Sequence, residues 1–259
     1  MYETISYAID GAIAVVRINR PDKLNAISPQ VAGELKDLAA TIRKDPKVRA
    51  LIFTGNGRAF SAGADIAKLA QMESPAEFMD FIEEIQTTYN AIEDLPIPTI
   101  AAINGLAFGG GCELALACDF RIMAQDASIG VPEIRIGMLP GAGGTQRLTR
   151  LLPPAIAKQM ICFGDPISSE SASRYGLVNA VVPSREVLDT ALQWGRRLAA
   201  LPPLALRCAK LLTQAAMSAD LKTGIESERQ ALAFLFSTED RRIGMEAFLS
   251  KREPSFSGR

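Results

Sequence analysis

The sequence predicts an α/β fold with a helical segment at its C-terminal end. Up to residue 182, short apolar runs typical of strands alternate with stretches of helical periodicity, which is the pattern of the α/β class. From Ser184 onward only helical periodicity occurs. Because 48% of the 259 residues are hydrophobic and only 22% are charged, the chain can bury a large core.

The N-terminal part begins with a predicted hairpin and a helix. Residues 3–18 contain two runs of β-type residues around Asp10-Gly11, the dipeptide that a type I′ turn prefers. Ser28 followed by Pro29 is an N-cap signal, and apolar residues then recur at helical spacing. The sequence therefore predicts that a helix starts at Pro29.

The middle of the chain alternates between predicted strands and helices. The apolar run 48–54 predicts a buried strand, and a capping box that begins at Ser74 predicts a helix over 75–92. The last helix of the C-terminal part is expected to be capped near Ser237 and Thr238. The other predicted elements are a strand at 99–103, a helix at about 110–118, a strand at 120–124, a glycine-rich loop at 137–144 and a strand at 178–182.

The chain contains no histidine, and this excludes several kinds of catalysis. Ser-His-Asp and Cys-His nucleophilic machinery, imidazole metal ligation and a histidine general base all require that side chain. Carboxylates, backbone amides or a cofactor must therefore carry any chemistry. The balance of 28 basic and 29 acidic residues also argues against nucleic-acid or membrane-surface binding driven by net charge.

The four cysteines and the N-terminus predict a cytoplasmic protein. No C-x-x-C pair or zinc-site spacing occurs, so buried free thiols in a reducing compartment are expected. The N-terminal residues lack the pattern of a signal peptide, and no apolar run is long enough for a transmembrane helix.

Several familiar glycine-containing motifs are absent. No Gly-Lys dipeptide occurs, which excludes a Walker A loop. A dinucleotide-binding fingerprint that would start at Gly141 has Gln146 where its last glycine belongs. The segment 59–63 resembles a nucleophile elbow, but it lacks the first glycine, and the chain has no histidine to serve as its base.

Two segments combine small residues with functional potential. The first, FSAGADI at 60–66, lets a ligand approach the main chain closely. The second, NGLAFGGGCEL at 104–114, leads into a predicted helix N-terminus, where free amides and the positive end of the helix dipole suit an anion or a developing oxyanion. A tight strand-to-loop connection explains the first segment equally well, and a favourable first-turn acid explains Glu113 in the second.

A third segment, 130–146, contains a carboxylate, Glu133, among apolar residues and proline. Burial of such a group without a partner is unfavourable, so either a functional role or an ion pair is expected. Arg135 offers a structural ion pair as the alternative explanation. The segment ends in the glycine-rich stretch PGAGGTQ at 140–146.

Together, the AGADI, NGxAxGGGCE and PE…G…PGAGGTQRL motifs closely resemble the enoyl-CoA hydratase/isomerase (crotonase) superfamily. The resemblance runs from the stretch RPDKLNAI at 20–27 to the C-terminal residues 248–252, and it is closer to hydratases with two glutamates than to relatives with one. It implies a spiral of repeated ββα units over residues 1–195. It also implies a helical segment over 196–259 that serves in trimerisation and covers the active site.

The resemblance also implies the residues of the site. The backbone N–H groups of Ala62 and Gly110 are expected to form an oxyanion hole for the thioester carbonyl. Glu113 is expected to polarise a water molecule for attack at Cβ, and Glu133 to supply a proton at Cα. The helix at 75–92 is expected to form one wall of the acyl pocket. The residues expected to bind substrate or CoA are Ala62, Gly63, Ala64, Asp65, Ile66, Gly110, Phe248 and Lys251.

The resemblance places Phe248 and Lys251 near the adenine end of CoA, often from a neighbouring subunit. A solvated charge at a helix end explains Lys251 as well. The implied reaction is the addition of water across the 2,3 double bond of a 2-enoyl-CoA thioester to give a 3-hydroxyacyl-CoA. No metal or redox cofactor is expected, because CoA arrives as part of the substrate. A homotrimer, or a hexamer built from two trimers, is the expected assembly, with no nucleic acid or membrane partner.

Three alternatives remain at this point. A double-bond isomerase on the same fold is the nearest, since isomerisation can use one carboxylate whereas hydration also needs a held water molecule. A non-catalytic binder of CoA thioesters is disfavoured by the presence of both glutamates. An RNA-binding relative is disfavoured because acidic residues interrupt the basic face of the helix at 29–43.

Overall fold

Two β-sheets form the framework of the protein, which a computed structural model describes over residues 2–259. The larger sheet has the strand order β1-β2-β3-β5-β7-β10, and the smaller has the order β4-β6-β8-β9. The strands of the larger sheet are β1 (Ile5–Asp10), β2 (Ile13–Ile18), β3 (Ala50–Gly55), β5 (Thr99–Ile103), β7 (Phe120–Ala124) and β10 (Ala180–Val182). Those of the smaller sheet are β4 (Ala59–Ser61), β6 (Leu106–Phe108), β8 (Ser128–Gly130) and β9 (Ile167–Ser168).

Eleven α-helices surround the sheets in the part of the chain that the structure describes. They are α1 (Pro29–Lys44), α2 (Ile66–Leu69), α3 (Pro75–Glu93), α4 (Gly110–Ala117), α5 (Gly144–Leu151), α6 (Pro154–Phe163), α7 (Ser169–Arg174), α8 (Val187–Ala199), α9 (Pro203–Ala215), α10 (Leu221–Phe236) and α11 (Glu239–Ser250). Short 3-10 helices lie at Pro21–Lys23, Pro132–Ile136 and Ser184–Glu186.

The chain winds between the two sheets as a spiral. Strands β3, β5 and β7 of the larger sheet are each followed by a strand of the smaller sheet, namely β4, β6 and β8, and each of these pairs is followed by helical structure. Neighbouring strands from β2 to β10 in the larger sheet, and from β4 to β8 in the smaller, are parallel. The predicted spiral of ββα units with a helical C-terminal segment is therefore confirmed.

The N-terminal hairpin and the helix starts agree with the sequence predictions. Strands β1 and β2 pair antiparallel around the turn, with Asp10 opposite Ile13. The Ser28 hydroxyl accepts a hydrogen bond from the Val31 amide at 3.3 Å and thereby caps α1. The Ser74 hydroxyl caps α3 in the same way.

The sequence did not predict the smaller sheet, and the reason is the length of its strands. Each has only two or three residues. A strand this short shows no recognisable alternation, and β6 lies within a glycine-rich stretch that indicated only a loop entering a helix. Pairing with neighbouring strands, rather than local sequence, makes these residues extended.

The core lies between the larger sheet and the helices. All residues of β3 and β5 are buried, because α8 packs on both strands. Since α8 belongs to this layer and ends at Ala199, the α/β core extends to residue 199 rather than to 195 as predicted. Of the thiols, Cys112 and Cys118 are buried as predicted, whereas Cys162 is exposed, so the prediction is wrong for that residue.

Helices α9 to α11 form the C-terminal segment. The Lys210 ammonium on α9 forms an ion pair with Asp119 at 2.8 Å, which joins the segment to the core. Large apolar side chains of the segment nevertheless face solvent, among them Leu221, Phe236, Phe248 and Leu249. None of the helices in residues 2–259 combines the length and apolar character that a membrane crossing requires.

Candidate active site

The candidate site lies at one edge of the smaller sheet. Strands β4, β6 and β8 are parallel, so the segments that leave their carboxyl ends emerge at the same edge. These are the three segments that the sequence analysis selected. They bring Ala64, Gly110, Glu113 and Glu133 around one cavity of about 260 Å³.

Helix α3 forms an apolar wall of this cavity, as predicted. Phe78, Phe81, Ile82 and Ile85 recur at helical spacing and all line it. The two glutamates are the acidic groups of the lining. An apolar cavity with a few convergent polar groups is the typical form of a small-molecule site.

Glu113 lies in the first turn of α4 and is only 2% exposed. Its Oε1 atom accepts hydrogen bonds from the backbone N–H groups of Ala142 and Gly144, both at 2.7 Å. Burial and the nearby charge of Glu133 raise the pKa of Glu113 to about 7, although the two amide hydrogen bonds act in the opposite direction. Glu113 can therefore exchange a proton near neutral pH.

Glu133 lies in the 3-10 helix Pro132–Ile136, and its carboxyl group is held differently. A Cβ atom on Gly109 would lie 2.6 Å from Glu133 Oε1, so only a glycine lets the carboxyl group pack there. The Oε2 atom is buried and has no hydrogen-bond partner within residues 2–259. Burial raises the pKa of Glu133 above its ordinary value. When it carries a proton, this carboxyl group can donate to a ligand in the cavity.

The alternative role for Glu133, an ion pair with Arg135, is not what the structure contains. The Arg135 guanidinium pairs instead with Asp165, at the protein surface. Glu133 therefore lines the cavity without an ion pair to Arg135. Two carboxyl groups with raised pKa values and different hydrogen-bond environments form a suitable acid/base pair.

The structure corrects the prediction for one of the two oxyanion-hole amides. The N–H group of Ala62 donates to the Leu24 carbonyl oxygen at 2.9 Å, so it is already used within the fold. The prediction that Ala62 supplies an oxyanion-hole amide is therefore wrong. The N–H groups of Ala64 and Gly110, in contrast, have no hydrogen-bond partner among residues 2–259, and both residues line the cavity.

The free amides of Ala64 and Gly110 lie close together because the two loops are in van der Waals contact. A Cβ atom on Gly110 would lie 3.7 Å from the Ala64 nitrogen. Gly63 permits this approach: its φ is +95°, and a Cβ there would lie 2.8 Å from the Phe108 carbonyl oxygen. Gly110 also starts α4, so the positive end of that helix dipole adds to the two amides.

The other predicted binding residues separate into two groups. Ala62, Gly63, Ala64, Ile66 and Gly110 line the cavity. The remaining three lie elsewhere, and they are Asp65, Phe248 and Lys251.

Asp65 forms an ion pair with Arg20 at 2.9 Å. Burial acts to raise the pKa of Asp65, but the hydrogen bond and charge of Arg20 outweigh it, so the pKa lies below its ordinary value. Asp65 therefore ties the AGADI loop to the RPDKLNAI stretch. Phe248 and Lys251 lie at the exposed end of α11, outside the cavity of their own chain.

Several residues of the site were not selected from the sequence. The Tyr89 hydroxyl donates to the Gly110 carbonyl oxygen at 2.8 Å and steadies the first turn of α4. Ala142 and Gly144 contribute only backbone groups, so the glycine-rich stretch 137–144 was their one signal. Within residues 2–259, no cluster of three or more potential metal ligands occurs.

Comparisons with known proteins agree with this geometry. A model of the family described as "Enoyl-CoA hydratase/isomerase" matches residues 8–259. A protein of Syntrophomonas wolfei named crotonyl-CoA hydratase is 41% identical over 256 residues, which is 98% of either chain. One of Escherichia coli named 2,3-dehydroadipyl-CoA hydratase is 38% identical, with 95% of this chain and 96% of the relative covered. The crystal structure of an enoyl-CoA hydratase from Bacillus anthracis has a TM-score of 0.96 and 39% identity, covering 99% of this chain and all of the other.

Proposed function

The chain belongs to the enoyl-CoA hydratase/isomerase family, and from this we propose that it is a hydro-lyase acting on 2-enoyl-CoA thioesters. It adds water across the 2,3 double bond and yields a 3-hydroxyacyl-CoA. The observation that carries this proposal is the pair of carboxyl groups, Glu113 and Glu133, at one apolar cavity. Relatives at about 40% identity over the whole chain are named as hydratases, which supports it.

The thioester carbonyl oxygen binds to the free amides of Ala64 and Gly110. As water attacks Cβ, the thioester gains enolate character, and negative charge develops on this oxygen. Two fixed N–H groups and the dipole of α4 stabilise that charge more than they stabilise the neutral carbonyl. Each such donor typically contributes ~10²–10³ in rate.

The proposed reaction starts from the state in which Glu113, whose carboxylate accepts the two amide hydrogen bonds, is ionised and Glu133 carries the proton. Glu113 takes a proton from water as the water oxygen bonds to Cβ, and Glu133 gives its proton to Cα as the double bond is lost. The product then contains one added water, and the proton has moved from Glu133 to Glu113. Exchange with solvent restores the starting state, and no oxidation or reduction takes place, so the reaction calls for no redox cofactor.

The remaining parts of the proposal concern CoA and assembly. CoA enters as part of the substrate, with its pantetheine side along the loop that contains Gly63 and Ala64. The exposed apolar faces of α9 to α11 suit a homotrimer, or a hexamer of two trimers. In such an assembly Phe248 and Lys251 contact the adenine end of CoA bound by a neighbouring subunit.

The proposal is tested with Glu113→Gln and Glu133→Gln in an assay of crotonyl-CoA hydration. Each variant is expected to lose about 10²–10⁴-fold in kcat, because glutamine can neither take nor give the proton. Binding of an acyl-CoA should persist in both. Near-wild-type turnover by either variant would contradict the assignment.

A second substrate distinguishes the proposed hydratase from the isomerase alternative. A 3-enoyl-CoA is offered to the wild-type protein, and the appearance of the 2-enoyl isomer is compared with hydration of crotonyl-CoA. Faster isomerisation than hydration would favour the isomerase.

A further inference from the structure

One of the two peptide units that hold Glu113 is itself held by a side chain. The Ala142 N–H donates to Glu113 Oε1 at 2.7 Å. The carbonyl group of the same planar peptide unit belongs to Gly141, and its oxygen accepts a hydrogen bond from Gln86 Nε2 at 2.7 Å. Gln86, the Gly141–Ala142 peptide and Glu113 thus form one continuous hydrogen-bonded chain.

The second peptide unit is held in another way. The Gly144 N–H also donates to Glu113, but the carbonyl oxygen of this unit, on Gly143, accepts from the backbone N–H groups of Gln146 and Arg147. The start of α5 therefore orients this donor without a side chain. Within residues 2–259, a side chain therefore orients the Gly141–Ala142 peptide unit, whereas backbone groups alone orient the carbonyl of the Gly143–Gly144 unit.

Other contacts place the glycine-rich loop against α3 but do not replace Gln86. Arg147 Nη1 donates to the Ala142 carbonyl oxygen at 3.0 Å, which belongs to the next peptide unit, and its guanidinium is anchored by Glu93. A Cβ on Gly141 would lie 3.1 Å from Ile82 Cδ1, so the loop and the helix are already tightly packed. These contacts fix the position of the loop, whereas Gln86 fixes the rotation of the donor peptide.

Gln86 acts from outside the acyl cavity. It lines a second cavity of about 740 Å³, which has Ala142 in common with the acyl cavity. The acyl cavity is lined instead by its helix neighbours Ile82 and Ile85. Gln86 itself does not line the acyl cavity, so its replacement removes no side chain from the cavity wall.

We propose that Gln86 is a positioning residue for hydration, which aims the Ala142 amide at the Glu113 carboxylate through the Gly141 carbonyl. A donor on the carbonyl oxygen polarises the peptide and strengthens donation by its N–H group. Because the acceptor is ionised when it takes the proton from water, this is a charge-assisted hydrogen bond. The inference rests on the proposed hydratase function, since Glu113 must act there as a base.

The test uses Gln86→Leu and Gln86→Glu, with Gln86→Lys as the variant that retains an N–H donor. Glutamate has the shape of glutamine, but its ionised carboxylate has no N–H or O–H to donate. Both donor-free variants are expected to lose about 10-fold in kcat at pH 7 while KM for crotonyl-CoA changes less than about twofold. The acid limb of the kcat profile should move to higher pH, because the ionised form of Glu113 is less stabilised. Lysine retains a donor and should keep most of the wild-type kcat.

Thr87→Leu, at the adjacent exposed position on α3, serves as the matched control and should have the wild-type profile. Wild-type kcat and an unmoved acid limb in both donor-free variants would overturn the inference. The inference would also be overturned if the lysine variant lost as much kcat as the donor-free variants. A loss of kcat without a shift of the acid limb would overturn it too, since either result indicates a structural role. If the wild-type protein itself does not hydrate crotonyl-CoA, the proposed function fails instead, and the two failures are thereby distinguished.

Discussion

At the residue scale, the chemistry of this site depends on small differences in environment between groups of the same kind. Glu113 is buried and Glu133 is half-buried; the first accepts two amide hydrogen bonds, whereas the second has a buried oxygen without a partner among residues 2–259. In the proposed mechanism, the two amide hydrogen bonds suit Glu113 to the ionised role, and Glu133 supplies the proton. Ala62 and Ala64 are likewise the same residue type two positions apart, but the fold uses only the amide of Ala62.

Burial of Glu113 predicts a cost in stability that depends on pH. Because its pKa is raised from 4.5 to about 7, the stability linked to its neutral form is present below pH 4.5 and is lost as pH rises through 7. Relative to wild type, Glu113→Gln should therefore gain about 3 kcal/mol of unfolding free energy between pH 4.5 and pH 8. Urea unfolding of both proteins across this range measures the difference. A constant difference across the range would contradict the raised pKa.

At the element scale, the site exists because three short parallel strands end at one edge. Strands β4, β6 and β8 set the spacing of the loops that follow them, and α4 begins directly at the cavity. The two glycines that start this helix have different constraints. A Cβ on Gly111 would lie 2.5 Å from the Ser61 carbonyl oxygen, whereas the nearest atoms to a Cβ on Gly110 are at 3.7 Å.

These distances predict different outcomes for alanine at the two positions. Gly111→Ala forces α4 away from β4 and should lower the unfolding free energy by about 1–3 kcal/mol. Gly110→Ala meets only ordinary van der Waals contacts and should stay within about 1 kcal/mol of wild type. Chemical denaturation of the two variants side by side makes the comparison. Equal losses would show that the contact between α4 and β4 does not determine stability here.

At the scale of the whole molecule, two parts of the chain behave differently. The α/β core buries its central strands β3 and β5 on both faces, while the helices α9 to α11 expose large apolar side chains, with Phe248 84% exposed. Apolar surface of this kind marks contacts with other protein surfaces. The core therefore contains the cavity with both glutamates, and the exposed apolar surface of the C-terminal segment supports the proposed assembly.

This division predicts an oligomer whose contacts involve the C-terminal helices. Light scattering should give three or six times the chain mass of 27.8 kDa. Replacing Leu232 and Phe236 on α10 by aspartate should shift the protein toward monomers, because a charge is costly to bury at an interface. A monomeric wild-type protein would contradict the proposed assembly.

Most of the larger sheet and the long helices were predictable from the sequence, since caps, turns and hydrophobic periodicity act over a few neighbouring residues. The strand at 99–103 and the start of α1 at Pro29 agree with the structure without adjustment. The pair Glu113 and Glu133 was predicted from the resemblance of their motifs to the enoyl-CoA hydratase/isomerase superfamily, and the apolar surroundings of Glu133 gave an independent signal for that residue. The four strands of the smaller sheet were missed, since only pairing between distant segments extends them.

Residue types and local patterns were enough to identify the α/β class and the absence of imidazole chemistry, and the resemblance of the motifs to a known family identified the two candidate glutamates. Contacts between distant segments decide the rest. Among residues 2–259, the amide of Ala64 has no partner while that of Ala62 donates to Leu24, and Gln86 reaches a peptide 55 residues away. The physical reason is that every backbone amide has the same chemistry in the sequence. Its availability depends on which carbonyl or carboxylate oxygen the fold brings to it.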